Sequence, residues 1–198
     1  MDSQATAGLV TAARQAATAV PVSRQQQRRR YTMLVCMSTA TTTIIFEPIP
    51  PGDLDKIRTA GVDEAGNLLT PQVDAEGGSP LRCCLRVTRP GEQVLLMAFT
   101  PPGTAGPYAE RGPVFVHADP CPGYQSPTVY PPEFRHRPQV LRAYNHQGRI
   151  ADGVIAEDGD HAMAVIRELL TRPDVALVHL RNVGYGCYNC AARLVPQP

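Results

Sequence analysis

The stretch that decides the fold class runs Asp160-His-Ala-Met-Ala-Val-Ile-Arg-Glu-Leu-Leu-Thr-Arg172 and, after one proline and one aspartate, Val175-Ala-Leu-Val-His-Leu-Arg181. Apolar residues in its first part recur at the spacing of one helix face: Ala162, Val165, Ile166, Leu169 and Leu170. This pattern predicts an amphipathic helix over residues 160–172. The second part is rich in apolar and β-branched residues, which predicts a buried strand. A helix packed on a sheet is therefore expected.

Local signals set the ends of this predicted helix. Asp160 is the predicted N-cap, because a short carboxylate accepts hydrogen bonds from the first free backbone N–H groups. Pro173 cannot continue a helix and marks its C-terminal end. Glu168 lies four residues before Arg172, the spacing at which opposite charges pair on one helix face.

Short β-branched or alternating runs predict further strands outward from this stretch: residues 42–46, 81–87, 94–99, 114–118, 140–144, 150–156 and 188–195. The run 94–99 is apolar on both faces and is expected to be a central, fully buried strand. The run 81–87 alternates, which places Arg82 and Arg86 on one face and the two adjacent cysteines on opposite faces.

The segment between the first two predicted strands contains a short helix and a loop. Leu54 and Ile57 are expected on the buried side of that helix, and Gly61 is its expected C-terminal cap. Residues 62–80 carry turn signals and are predicted to be an ordered loop.

These elements amount to seven or eight strands and two helices in no regular β-α-β alternation. The expected fold class is therefore α+β, with a mostly antiparallel, strongly curled β-sheet and one or two packed helices. Residues 41–198 are expected to form one domain. Residues 1–40 are expected to be a disordered or extraneous extension; an organelle transit peptide and a translation start at Met33 or Met37 are the alternatives.

Charge and hydropathy exclude several functional classes. The first 32 residues carry five arginines and one acidic residue, whereas the remainder carries 14 basic and 17 acidic residues. The body of the chain therefore lacks the positive field of a nucleic-acid-binding protein. No apolar run is long enough to cross a bilayer, and six cysteines without an export signal favour reduced thiols in a cytoplasmic protein. The sequence does not predict the oligomeric state.

One candidate site is the segment His179-Leu-Arg-Asn-Val-Gly-Tyr-Gly-Cys187. Its glycines allow a tight turn whose backbone amides converge on an anion, and Arg181 adds a fork for a carboxylate or phosphate. His179 and Cys187 are the catalytic candidates, and the ligand-binding candidates are Arg181, Asn182 and Tyr185. The alternative is a histidine bonded within the sheet, an arginine paired with a surface carboxylate and glycines that only turn a hairpin.

A second candidate site is Phe115-Val-His-Ala-Asp-Pro-Cys121. His117 lies near the end of a predicted strand, and Cys121 follows in a loop. An imidazole beside a thiol can generate a thiolate nucleophile, so both residues are catalytic candidates. Alternatively, His117 is a structural hydrogen-bond donor and Cys121 a small buried side chain.

No metal and no organic cofactor are predicted. The chain has no P-loop, dinucleotide-binding, nucleophile-elbow or His-Glu-x-x-His motif. Cys187 and Cys190 form a Cys-x-x-Cys pair, but two positions three apart in one strand face opposite sides, as do the adjacent cysteines of the run 81–87. A site assembled across strands from His117, His179 and a cysteine stays open.

Two kinds of function follow from these candidates. In the first, the protein is an enzyme without organic cofactor that acts on a small anionic metabolite, which Arg82, Arg86 or Arg181 binds while histidines transfer protons. In the second, it is a non-catalytic ligand-binding or protein-interaction module with the same pocket, rimmed by Tyr108 and Glu110. Both hypotheses require the segments 82–86, 117–121 and 179–187 to meet around one concavity. The expected partner is a small anionic molecule, not nucleic acid or a membrane.

Five segments in order carry a resemblance to a known family: Leu81-Arg-Cys-Cys-Leu-Arg86, Gly106-Pro-Tyr-Ala-Glu110, Gly112-Pro-Val-Phe-Val-His-Ala118 with Pro120-Cys121, Arg137-Pro-Gln-Val-Leu-Arg-Ala-Tyr144 and Arg181-Asn-Val-Gly-Tyr-Gly-Cys187. Over roughly residues 44–195 the chain resembles the bacterial family catalogued as domain of unknown function 1203. The resemblance implies a cytoplasmic protein of one domain that begins near Thr42, and it supplies no activity. Similar proteins more often carry an apolar residue at position 190, which agrees with Cys190 as a core residue.

Overall fold

A computed structural model describes residues 42–197 of the 198-residue chain. The predictions made for residues 1–40, and the prediction of a reduced Cys36, lie outside the described residues. Within the described part the free cysteines are Cys83, Cys84, Cys121, Cys187 and Cys190.

Eight strands and two α-helices make up the regular structure of the described residues. The strands are β1 (Thr42–Glu47), β2 (Gln72–Asp74), β3 (Glu92–Phe99), β4 (Gly112–His117), β5 (Gln139–Asn145), β6 (Ile150–Ala156), β7 (Val175–Asn182) and β8 (Tyr188–Pro196). The helices are α1 (Pro51–Ala60) and α2 (Gly159–Thr171). Neither of these helices is long and apolar enough to span a bilayer.

The strands form two antiparallel sheets, with the orders β1-β8-β7-β5-β6 and β2-β3-β4. The α+β class with mostly antiparallel strands and two helices is confirmed. Strand β3 is central in its sheet as predicted, but its predicted full burial is wrong, because Leu96 is 45% exposed. The expected single, strongly curled sheet is wrong. Residues 81–87 do not form the predicted strand. They make only the isolated bridges Pro80–Val87 and Leu81–Phe115, so they do not join the two sheets into one.

Helix α2 packs on the larger sheet through the face that the sequence predicts. Its buried residues include Ala162, Ile166, Leu169 and Leu170, and they share one core with residues of β5, β7 and β8. The helix begins one residue earlier than predicted, because Asp158 rather than Asp160 is the N-cap and accepts the backbone N–H of His161 at 2.9 Å.

The predicted ion pair of Glu168 with Arg172 is wrong, because Arg172 lies beyond the C-terminal end of α2. The helix ends at Thr171, and Arg172 has an extended backbone that turns its side chain away from the helix face. Its guanidinium instead pairs with Asp152 at 2.7 Å and with Asp174 at 2.9 Å.

Residues 81–87 form a compact turn instead of the predicted strand. The N–H of Leu81 donates to the carbonyl of Arg86 at 2.8 Å, and the N–H of Leu85 donates to the carbonyl of Leu81 at 3.1 Å. Leu85 has φ of 59°, a left-handed conformation that non-glycine residues rarely adopt. The alternation of strand faces therefore does not apply here, and the two cysteines are not on opposite sides.

The segment before this turn is partly as predicted. Helix α1 buries Leu54, and Gly61 closes it with φ of 69° in the left-handed conformation. The predicted loop 62–80 contains β2, which the sequence analysis missed because three paired residues are too short to show a period.

Candidate functional site

Most of the candidate residues divide among three places, His179 lies in the core of the larger sheet, and the candidates do not meet around one concavity. His117, Cys121 and Arg86 lie near one another at one end of the smaller sheet. A cavity beside β3 and β4 is lined by Arg82, Asn182, Tyr185 and Cys187. Arg181 forms an ion pair with Glu110. Tyr108 is exposed and belongs to none of these groups.

A cavity of about 660 Å³, here called the arginine cavity, lies between β3, β4 and the turn 183–187. Its lining residues are Pro80, Arg82, Leu96, Pro113, Phe115, Arg137, Pro138, Asn182, Val183, Gly184, Tyr185 and Cys187. Two arginines supply its charge, and no acidic side chain of the described residues belongs to this lining. Most of the remaining surface is apolar, which makes the lining that of a small-molecule site.

Arg82 is the more deeply buried of the two arginines, with 2% of its surface exposed. Its Nε donates to the carbonyl of Tyr188 at 2.6 Å, and its Nη1 donates to the carbonyl of Pro80. Burial, with a smaller contribution from the charge of Arg137, lowers the pKa of Arg82 to about 10. The folded chain thus carries the cost of a buried positive charge at this position.

Arg137 is half-buried and stacks on an aromatic ring. Its guanidinium carbon lies 4.8 Å from the centre of the Phe134 ring, a cation–π contact. Its Nε and Nη2 are shielded from water and have no hydrogen-bond partner among the described residues. Burial lowers the pKa of Arg137 as well. Within residues 42–197, neither Arg82 nor Arg137 forms an ion pair with a carboxylate.

The turn between β7 and β8 forms one rim of the arginine cavity. Tyr185 at its tip is 92% exposed, and Val183 beside it is also exposed. Gly186 has φ of 68°, the left-handed conformation that glycine adopts without strain. The thiol of Cys187 lies 3.7 Å from the carbonyl oxygen of Tyr185. An aromatic ring on this rim has open space on both sides.

Arg181 belongs to a compensated cluster at a smaller cavity of about 280 Å³. Its Nη2 lies 2.5 Å from Glu110 Oε2, and Arg142 Nη1 lies 2.5 Å from Glu110 Oε1. Burial raises the pKa of Glu110, but hydrogen bonds and charge from the two arginines outweigh it, so the pKa lies below its usual value. Here the chain itself supplies the anion that Arg181 binds.

His179 is fully buried in the larger sheet. Its ring lies between those of Tyr144 and Tyr188, with centroid distances of 4.5 Å and 4.9 Å. Its Nε2 lies 2.8 Å from the carbonyl oxygen of Pro102, and burial lowers the pKa of His179 to about 4. At neutral pH this histidine is an uncharged core residue that donates one hydrogen bond.

His117 and Cys121 belong to a group that we call the thiol cluster: Cys83, Cys84, His117 and Cys121. Its four ligand-type atoms lie within 4.8 Å of one another. On the far side of the imidazole, Arg86 Nη2 lies 2.9 Å from His117 Nε2. Arg86 also makes a two-pronged ion pair with Glu92, with both contacts at 2.8 Å.

The ionisation of the thiol cluster is uneven. The hydrogen bond that Cys83 donates to Cys84 raises the pKa of the Cys83 thiol and lowers the pKa of Cys84. Burial and the adjacent Arg86 charge lower the pKa of His117. The cluster therefore combines a neutral imidazole with thiols of unequal acidity.

Several residues of these groups were not singled out from the sequence. For Arg137 the sequence offers one indication of a binding role, its position in the basic cluster 135–137, but nothing in the sequence places it beside Arg82. No sequence pattern indicates Glu92 as a site residue. Cys83 and Cys84 are adjacent in the sequence, but the predicted strand placed their side chains on opposite faces. It therefore did not show that both thiols lie beside His117.

A family model described as Protein of unknown function (DUF1203) matches residues 78–193. This range includes every residue of the thiol cluster and of the lining of the arginine cavity. No curated protein and no solved structure matches the chain.

Proposed function

Because the chain belongs to the family described as Protein of unknown function (DUF1203), and that description assigns no activity, we propose a function from the geometry: the protein binds a small anionic molecule with an apolar part in the arginine cavity. The observation that carries this proposal is the meeting of Arg82 and Arg137, without a carboxylate among the described residues, at one cavity.

The charge of the cavity supports an anion. Removing a guanidinium from water costs free energy that a nearby carboxylate ordinarily offsets. Arg82 has backbone carbonyls as partners and Arg137 has an aromatic ring. A carboxylate, phosphate or sulfonate in the cavity would supply the missing counter-charge to both through charge-assisted hydrogen bonds.

The rest of the lining supports an apolar part in the same ligand. Leu96, Phe115 and Val183 present hydrocarbon surface, and Tyr185 adds an exposed ring on the rim. A volume of about 660 Å³ fits a molecule of the size that protein pockets commonly take. Asn182 offers amide donors and acceptors at one end.

Binding is favoured over catalysis by the positions of the acid–base candidates. His117 lies in the thiol cluster and His179 in the core, so neither lines the arginine cavity. The described lining offers the thiol of Cys187 and the hydroxyl of Tyr185 without an imidazole or carboxylate to accept a proton. An enzyme acting on the anionic molecule without an organic cofactor remains the alternative hypothesis, and it requires a proton acceptor from the ligand itself.

The test uses anilinonaphthalene sulfonate as an anionic aromatic probe, followed by its fluorescence. Arg137→Gln removes the charge and is expected to weaken probe binding about tenfold or more, since a charge-assisted hydrogen bond contributes about 1.5–3 kcal/mol. Arg137→Lys should recover part of the affinity. The matched control is Arg135→Gln, because Arg135 is exposed, lies two residues away and is not part of the cavity lining.

A second probe separates charge from hydrophobicity. Phenylnaphthylamine has a similar aromatic body without the sulfonate, and its affinity should be the same for the wild-type protein and Arg137→Gln. Thermal unfolding of each variant verifies that the comparison is made between folded proteins. Equal sulfonate affinity in the wild type and Arg137→Gln, or an equal loss in Arg135→Gln, would remove the proposal.

A further inference from the structure

The thiol cluster has the composition and the dimensions of a zinc site. Cys83 Sγ lies 3.9 Å from Cys84 Sγ and 3.4 Å from His117 Nδ1, and Cys84 Sγ lies 3.9 Å from the same nitrogen. In tetrahedral zinc sites, bond lengths of ~2.3 Å to sulfur and ~2.0–2.1 Å to nitrogen give ligand separations of about 3.5–3.8 Å. These three distances are close to the edges of such a tetrahedron, and Cys121 Sγ lies within 4.8 Å of the other three atoms.

We propose that the chain binds one zinc ion through the Sγ atoms of Cys83, Cys84 and Cys121 and the Nδ1 atom of His117. Three thiolates and one imidazole are a ligand set that zinc takes in structural sites. The site goes beyond the small-molecule function proposed above and does not depend on it, because none of the four ligands lines the arginine cavity.

The fold brings these ligands together from three short segments. The turn 81–87, with Leu85 in its left-handed conformation, holds both adjacent cysteines on the side of β4. His117 is the last residue of β4, and Cys121 follows between two prolines that restrict its loop. The turn 81–87 and Cys121 already pack in one hydrophobic cluster, and an ion there would add direct bonds between the two segments.

Neighbouring groups provide the outer contacts of a zinc site. The backbone N–H of His117 points to Cys83 Sγ at 3.4 Å, and Glu92 Oε2 lies 3.8 Å from His117 Nε2. A metal-bound histidine ordinarily donates its other N–H to a carboxylate. Arg86 adds a positive charge beside the net negative charge of a zinc ion bound by three thiolates.

The protons balance as follows. In the metal-free geometry Arg86 donates to His117 Nε2, which places the ring proton on Nδ1. On binding zinc, the three cysteines release their thiol protons to solvent and form Zn–S bonds. The ring proton leaves Nδ1, which forms the Zn–N bond, and Nε2 takes up a proton from solvent. Because Arg86 cannot donate to a protonated Nε2, its guanidinium moves off that nitrogen, and Glu92 Oε2 closes from 3.8 Å to accept the new N–H. No oxidation or reduction takes place.

All four coordination positions are taken by protein atoms, so the ion is inferred to be structural. An open position for water or substrate is the mark of a catalytic zinc, and this ligand set leaves none. The expected effect of the metal is therefore on the stability of the turn 81–87, which also carries Arg82.

The experiment uses the full chain, purified under reducing conditions from zinc-supplemented medium. We expect elemental analysis to find one zinc per chain in the wild type, and far less than one in Cys84→Ser and Cys121→Ser. The control is Cys187→Ser, which removes a partly exposed thiol outside the cluster and should retain the metal. Cys84 and Cys121 are chosen because both are only partly buried, so their variants are expected to fold.

Cobalt substitution gives a second, spectroscopic readout. The apo protein titrated with Co²⁺ should develop thiolate-to-cobalt charge-transfer absorption and the visible bands of tetrahedral cobalt, both weakened in Cys121→Ser and intact in Cys187→Ser. Chelation should lower the melting temperature of the wild type and leave that of Cys121→Ser unchanged. A folded, reduced wild type that takes up neither zinc nor cobalt, or that loses metal equally in Cys187→Ser, would overturn the inference.

Discussion

Two pairs of arginines in this molecule have different electrostatic surroundings. Arg142 and Arg181 contact the two carboxylate oxygens of Glu110, each at 2.5 Å. Arg82 and Arg137 contact backbone carbonyls and an aromatic ring instead, and they line a cavity without an acidic side chain among the described residues. The first pair is matched inside the chain, whereas the second retains positive charge that a ligand can match.

The comparison shows why residue type alone does not identify an anion site. Arg181 lies near the end of a strand and precedes a Gly-rich turn, which makes it the stronger candidate in the sequence, yet its guanidinium is already paired with Glu110. Arg137 has no such motif around it. Burial without a carboxylate partner is the property that points to a ligand, and it is visible only in three dimensions.

The largest effect is expected when the arginine cavity is given its own carboxylate. Leu96 lies on β3 and lines the same cavity as both arginines, so Leu96→Glu would add a negative charge to that cavity and make this pair resemble the one at Glu110. We expect the affinity for anilinonaphthalene sulfonate to fall at least tenfold, since an internal anion then competes for the same donors. Fluorescence titration measures the loss.

Leu96→Gln is the matched control, because it changes size and polarity in the same way without adding charge. It should retain most of the affinity for the sulfonate. If Leu96→Glu and Leu96→Gln weaken binding to the same extent, the charge of the cavity is not what attracts the probe.

An intermediate effect is expected when the matched pair loses its carboxylate. Glu110→Gln leaves the buried guanidinium of Arg181, 9% exposed, without a counter-charge. Because the Glu110 side chain is 42% exposed and water screens it, the loss in free energy of unfolding should be about 1 kcal/mol at neutral pH. Chemical denaturation measures it, with Glu76→Gln as the control at an exposed glutamate.

The same pair predicts a pH dependence of known sign. The folded-state pKa of Glu110 lies below the ordinary value of 4.5, so its contribution is present above the unfolded-state pKa and is lost as pH falls through the folded-state pKa. The stability difference between the wild type and Glu110→Gln should therefore shrink on acidification below about pH 4. A difference that stays constant well below pH 4 would show that Glu110 acts by packing rather than by charge.

The smallest effect is expected at the rim of the arginine cavity. Tyr185→Ala removes an exposed ring whose contact with a ligand is one-sided, so a loss of about threefold in sulfonate affinity is expected. Tyr108→Ala is the control, since Tyr108 is exposed and lies outside the cavity. Equal affinities for both variants would confine the site to the arginines and the cavity floor.

The sequence predicted those elements whose side-chain pattern repeats over several residues. Helix α2, strands β5 and β6, and the central position of β3 all follow from such patterns. Residues 81–87 alternate in the same way but form a turn, because Leu81, Cys83 and Leu85 are buried by a fold-back rather than by a sheet face. A period of two cannot distinguish these two ways of burying alternate residues.

The candidate sites were less predictable than the fold. Arg82 and Arg137 are far apart in sequence, and their proximity depends on the packing of a turn against the loop before β5. The thiol cluster was within reach of the sequence, since Cys83, Cys84, His117 and Cys121 all stood in the quoted motifs. The strand assignment for residues 81–87 separated the two adjacent thiols, so the one metal site left open combined His117 and His179 with a cysteine rather than with both thiols.

The turn 183–187 separates two cavities. Tyr185 and Cys187 belong to the lining of both the arginine cavity and the cavity beside Glu110, and Arg181 Nε donates to the carbonyl of Gly186 at 2.8 Å. A ligand that displaces this turn from within one cavity changes the volume and the hydrogen bonds of the other cavity. Where occupancy of the arginine cavity displaces this turn and so changes the pKa of Glu110, protonation of Glu110 must change the ligand affinity of the cavity by the same factor.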